Sequence, residues 1–150
     1  MTKRRWGNDD AMVAGVDGLL IGVVIVVTGT LLFANLWGVL AARMAANEAA
    51  AAAARAYVEA PDGASASDAA RRVAAEAMEA HQRQLSAIAL RGERWERCTR
   101  VIITVETVIP RFALPGLGGA GQFTVSATHS ELVDPYRSAE GLPGEVNCAG

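Results

Sequence analysis

Reactive side chains are sparse in this 150-residue chain. Gly116, Gly118 and Gly121 have the Gly-x-Gly-x-x-Gly spacing of a dinucleotide-binding turn. That chemistry needs a strand before the turn and a helix after it, so that the helix N-terminus meets the pyrophosphate. Here Pro115 precedes the first glycine and a strand pattern follows, so a hairpin loop is expected. His81 and His129 lie far apart, and Glu131 follows His129 at the i, i+2 spacing that puts both on one strand face. Without further Cys or His at ligand spacing, these read as ordinary surface residues rather than a metal site. No G-x-S-x-G or comparable elbow presents a serine as a nucleophile. No catalytic set, no metal site and no cofactor are therefore expected, and no small-molecule substrate.

Cys98 and Cys148 allow a single intramolecular pairing. An oxidising, exported environment would favour one disulfide between them, with two unpaired thiols as the competing outcome. Asp17 is the only charge between residues 11 and 42. An acid inside a membrane segment is costly against lipid and so is a functional candidate; hydration in the headgroup region is the plainer alternative.

The element that positions Asp17 is the most legible in the chain. Residues 11–42 hold most of the apolar surplus behind the mean hydropathy of +0.21, and the uncharged run 18–42 exceeds the roughly 20 residues that cross a hydrocarbon core as a helix. A transmembrane helix over 11–42 is expected, preceded by a cytoplasmic flank at 1–10. A secretory signal peptide is the competing reading, but its apolar region is shorter, about 7 to 15 residues. Lys3, Arg4 and Arg5 before the span favour a cytoplasmic N-terminus and an extracytoplasmic remainder. Gly15, Gly18, Gly22 and Gly29 lie within the span, and Gly18-x-x-x-Gly22 is a small-xxx-small pair that lets another helix backbone approach closely.

Beyond the span, residues 43–60 read as an alanine-rich helical extension, 61–67 as a linker around Pro61-Asp62-Gly63, and 68–91 as a second helix. Ser65 or Ser67 is its expected N-cap, and Val73, Ala77, Ala80, Gln84, Ala87 and Leu90 its apolar face. From residue 95 to 150 the chain reads as an exported β-rich unit. Val101, Ile103, Val105, Thr107 and Ile109 share one strand face, and Phe123, Val125 and Ala127 share another. A long Gly/Pro loop joins the two as an antiparallel hairpin. The fold class expected is a membrane-anchored α+β protein: one transmembrane helix extended into a stalk, a second amphipathic helix, and a small antiparallel β-hairpin or sheet.

Composition narrows the functions. Aromatic residues make up 5% of the chain, and Ala and Gly carry much of its 51% apolar content, which argues against a large enzyme domain. The net charge of −2 supplies no basic field for nucleic acid. All basic residues but Lys3 are arginine; with the alanine excess this points to a GC-rich coding sequence, so part of the alanine content need not be structural.

With AANEAAAAAARAYVEA after the span, a second Ala-rich helix, and PGLGGAGQFTVSATHSELVDPYRS near the C-terminus, the chain resembles the TadE-like proteins of the tight-adherence (Flp type IV-like) pilus system, particularly the small actinobacterial versions. The resemblance covers nearly the whole chain. It implies a minor pseudopilin-like subunit or assembly factor, held in the lipid bilayer beside other pilin-like or pilus-platform subunits. Carried over by position, the acid of the family's N-terminal motif would be Asp17, and the strand end Glu131, Val133, Asp134, Pro135, Tyr136, Arg137 and Ser138 would be the family-like stretch, either a docking surface or a strand-ending turn. The chain departs from prepilin processing, which expects Gly before the cleaved bond and Glu five residues on; Met12 and Asp17 stand there. A binding module on a single-span anchor, carrying a disulfide and recognising a cell-envelope partner, is the alternative function.

Overall fold

The computed structural model describes residues 9–92, 94–111, 121–136 and 148, the side chains of 9–16 and of 111 apart. Helix α1 runs from Asp9 to Glu59 without a break, 51 residues, or about 76 Å at 1.5 Å per residue. Helix α2 spans Gly63–Ala80, and strands β1 (Ala87–Arg91), β2 (Arg100–Arg111) and β3 (Gly121–Leu132) follow. The strands form one antiparallel sheet in the order β1-β2-β3. β2 and β3 pair along their whole lengths, from Arg100 opposite Leu132 to Arg111 opposite Gly121. The expected hairpin is therefore present, extended by a strand that the sequence reading did not contain.

The second half of α1 lies between α2 and the sheet. Ala45, Ala46, Ala49, Ala50, Ala53, Ala54 and Tyr57 are buried there with Ala66, Ala70, Ala74 and Met78 of α2 and Val101, Ile103 and Val105 of β2. These alanines are core rather than a compositional by-product: with a methyl group at each contact, one helix can be covered on two sides at close range. The expected β2 face is buried as read, Thr107 included, whose hydroxyl donates to the Gln84 carbonyl at 2.9 Å. On β3, Val125 and Ala127 are buried, whereas Phe123 is not.

Three expectations about the second helix need correction. It starts at Gly63, inside the expected linker, because Asp62 is the N-cap: its carboxylate accepts from the Ser65 backbone N–H at 2.8 Å, and the Ser65 hydroxyl donates back to the Asp62 carbonyl. It ends at Ala80 rather than residue 91. Gln82 adopts φ 55, its N–H donates to the Glu79 carbonyl, and the Arg83 N–H donates to the Met78 carbonyl, a Schellman closure. Residues 87–91 then form β1, in register with β2 from Ala87 opposite Glu106 to Arg91 opposite Ile102. The buried stripe of α2 is accordingly Ala66, Ala70, Ala74 and Met78; Val73 and Ala77 flank it and Ala80 is exposed. Gly92 closes β1 instead of a helix. At φ 113 its Cα lies so near β2 that a Cβ would stand 2.5 Å from the Arg100 carbonyl oxygen.

Candidate functional site

The longest exposed apolar surface belongs to the first half of α1. Among the side chains from residue 17 to 41 none is buried, and Leu19, Leu20, Ile21, Val24 and Ile25 are all exposed. At Ala42 the pattern changes: Ala42 packs with Ile109 and Val125, and from there the helix enters the core. The helix is long and apolar enough to cross a membrane by length and composition. Two polar side chains in the exposed stretch fold back on the helix itself, Thr30 donating to the Val26 carbonyl and Asn35 to the Leu31 carbonyl, both at 2.8 Å. Each thereby satisfies a hydrogen-bonding group without calling on solvent.

Asp17 stands exposed at the beginning of this stretch, and among the described residues no cation pairs with it. Gly18, Gly22 and Gly29 follow at separations of 4 and 7, which keeps them on one side of a helix. A Cβ built at any of the three would meet nothing within 4 Å. Their small size thus serves no contact among the described residues. Gly15 belongs to the same helix, but its surroundings lie outside the described residues.

The other sequence candidates scatter. Cys98, just before β2, is disulfide-bonded to Cys148, 50 residues away. His81, the residue after α2, sits 2.8 Å from the Glu48 carboxylate of α1, an exposed contact between the two helices. His129 and Glu131 do share a strand face, 3.3 Å apart, and among the described residues no third potential ligand joins them. Asp134 accepts the Tyr136 N–H at 2.8 Å, so Asp134-Pro135-Tyr136 forms an Asx turn with Tyr136 exposed. Val133 is fully buried and extends the ladder, its N–H donating to the Thr99 carbonyl while its carbonyl accepts from Cys98. Arg137, Ser138, Gly116 and Gly118 lie outside the described residues, and Gly121 is the first residue of β3.

Sequence reasoning missed two residues that hold this arrangement together. The Trp95 indole N–H donates to the Tyr57 carbonyl at 3.3 Å, and its side chain lies where a Cβ on Gly63 would stand 3.1 Å away. Trp95 therefore fastens the segment before β2 onto the α1–α2 turn; the two are distant in the sequence, so no local pattern signalled the contact. Arg83 reaches from the end of α2 back to the Gly38 carbonyl of α1 at 3.4 Å. Burial of Tyr57 raises its phenol pKa above the ordinary value.

Comparison with family models, with curated proteins and with solved structures finds no match. The functional reading therefore rests on the chain's own physical features and on the resemblance in its sequence.

Proposed function

We propose that this chain is a membrane-anchored structural subunit or assembly factor of a Tad/Flp-type pilus or a related secretion machine, without catalytic activity of its own. The first half of α1 spans the bilayer, the N-terminus is cytoplasmic, and the packed half of α1, α2 and the sheet are extracytoplasmic. The observation that carries this reading is the change in burial along one unbroken helix. Leu36 and Phe33 are 69% and 66% exposed, and each such side chain left in water forgoes roughly 1.5–3 kcal/mol relative to burial. Lipid removes that penalty, and the adjoining core fixes the span to the head without a flexible joint.

Other features agree with the orientation and the role. The Cys98–Cys148 bond suits an oxidising compartment, and Lys3, Arg4 and Arg5 suit the cytoplasmic side. Helical continuity through residues 34–46 favours a retained span over a removed leader. Gly18, Gly22 and Gly29, against which none of the described residues packs, offer a close-approach face for a neighbouring single-span helix. Asp17 beside that face would pair with a positive charge of the neighbour, such as an N-terminal amine.

Crosslinking in native membranes tests the reading. Gly18→Cys and Gly22→Cys variants, oxidised in place, are expected to crosslink to themselves or to other small single-span proteins. If neither position does so while both proteins are membrane-inserted, lateral assembly loses its physical basis.

A further inference from the structure

We propose that the hairpin end of the sheet is seated in the lipid headgroup interface, so that the bilayer surface is a partner of the sheet as well as of the helix. This rests on α1 being a membrane span and on height along that helix. If Asp17 marks one headgroup region, a hydrocarbon core of about 30 Å takes about 20 residues and ends near Trp37. An aromatic ring at that level is a usual interfacial anchor. Arg43 is the next charge along α1, more than a turn further on.

The sheet descends to this same level. Ile109, Pro110 and Phe123, where β2 ends and β3 begins, close a cleft of about 190 Å³ against Ala34 and Gly38 of α1. The opposite end of the sheet, at Arg100 and Leu132, lies 9 residues up β3 from Phe123, or about 30 Å away at strand spacing. Ile109 and Phe123 are cross-strand partners on the helix-facing side. Ile109 is buried, yet Phe123 remains 42% exposed, because the α1 residues below it are small. Val108, on the other face of β2, is 37% exposed. Apolar side chains thus show on both faces of the hairpin end at the depth of Trp37. Arg83 borders the cleft; one of its N–H groups goes to the Gly38 carbonyl, and the guanidinium has others for a lipid phosphate. A phenyl ring and a guanidinium at the same cleft supply an apolar group and a cation, the two chemistries that meet where acyl chains join headgroups.

The test uses the full chain, reconstituted into phosphatidylcholine vesicles containing phosphatidylglycerol. A genetically encoded nitroxide amino acid is placed singly at Ile25, Phe123 or Leu132, and electron paramagnetic resonance compares its accessibility to oxygen, which partitions into lipid, with that to a water-soluble nickel chelate. Leu132 is the control, as exposed as Phe123 at 42% but at the other end of the same strand. The oxygen-to-nickel ratio is expected to be severalfold higher at 123 than at 132, and highest at 25. A ratio at 123 as low as at 132, with 25 in lipid, overturns the interfacial seating and leaves the span intact. Nickel access at 25 overturns the span and the seating together. The label at Val108 repeats the comparison without entering the cleft, so a variant perturbed at 123 does not leave the answer open.

Discussion

Asp62 ends one helical segment and begins another, since Pro61 before it stops α1 and its carboxylate caps α2. The hydrogen bond from the Ser65 N–H is the main cause of its pKa falling below 3.8. Because the folded value lies below the unfolded one, the cap stabilises the fold fully above the unfolded value, and this contribution disappears as pH falls through the folded value. Asp62→Asn is expected to keep the cap and to flatten that acid limb, while Asp62→Ala lowers Tm at neutral pH; circular dichroism melts at neutral and acidic pH measure both. Gln82 carries the opposite cap in the left-handed region, where a side chain costs roughly 1–2 kcal/mol and glycine costs nothing sterically. After glycine's own entropy penalty of about 0.5–1 kcal/mol, Gln82→Gly is expected to stabilise the fold by up to about 1 kcal/mol in urea titration. A loss of stability there would contradict the capping geometry. That this cap uses glutamine, rather than the usual Gly or Asn, is why the second helix reads as running to residue 91 in the sequence.

At the scale of elements, α1 is two helices in one: a naked apolar rod and a covered alanine strip. In the covered half, Ala46, Ala49 and Ala53 are fully buried between α2 and the sheet. Ala49→Leu adds methylenes where neither neighbour can withdraw, and is expected to cost about 1–3 kcal/mol. Asn47→Leu, on the exposed side of the same helix, should change stability by no more than about 0.5 kcal/mol. Comparable losses for the two in denaturant unfolding would show that the alanine strip is not the packing seam. The faces of β2 and β3 were legible in the sequence because a period of two is local. β1 was not: AIALR is short, follows a concealed helix stop, and gains its strand conformation from pairing with β2. The role of Trp95 was equally hidden, since it depends on the α1–α2 turn folding back toward β2.

At the scale of the whole molecule, the disulfide closes the end of the sheet away from the proposed membrane surface. Its sequence separation of 50 corresponds to about 4 kcal/mol of loop-closure stabilisation in the chain-entropy model. Reduction is therefore expected to lower the denaturation midpoint of the head by an amount of that order and to slow the chain on denaturing gels. Equal mobility with and without reductant, together with two titratable thiols, would contradict the bond. Among the candidate site residues, Asp17 and the glycines were readable from type and spacing alone, since an uninterrupted apolar run with one acid and a small-residue face is a one-dimensional pattern. The sequence by itself determined the apolar helix, the break at Pro61 and the two long strands, because propensity and periodicity act between near neighbours. Only the tertiary structure decided that the alanines are core, that a third strand joins the sheet, and that the hairpin end descends to the level of Trp37. Each of those depends on which surfaces meet across long stretches of chain, and burial is a property of that meeting rather than of any residue alone.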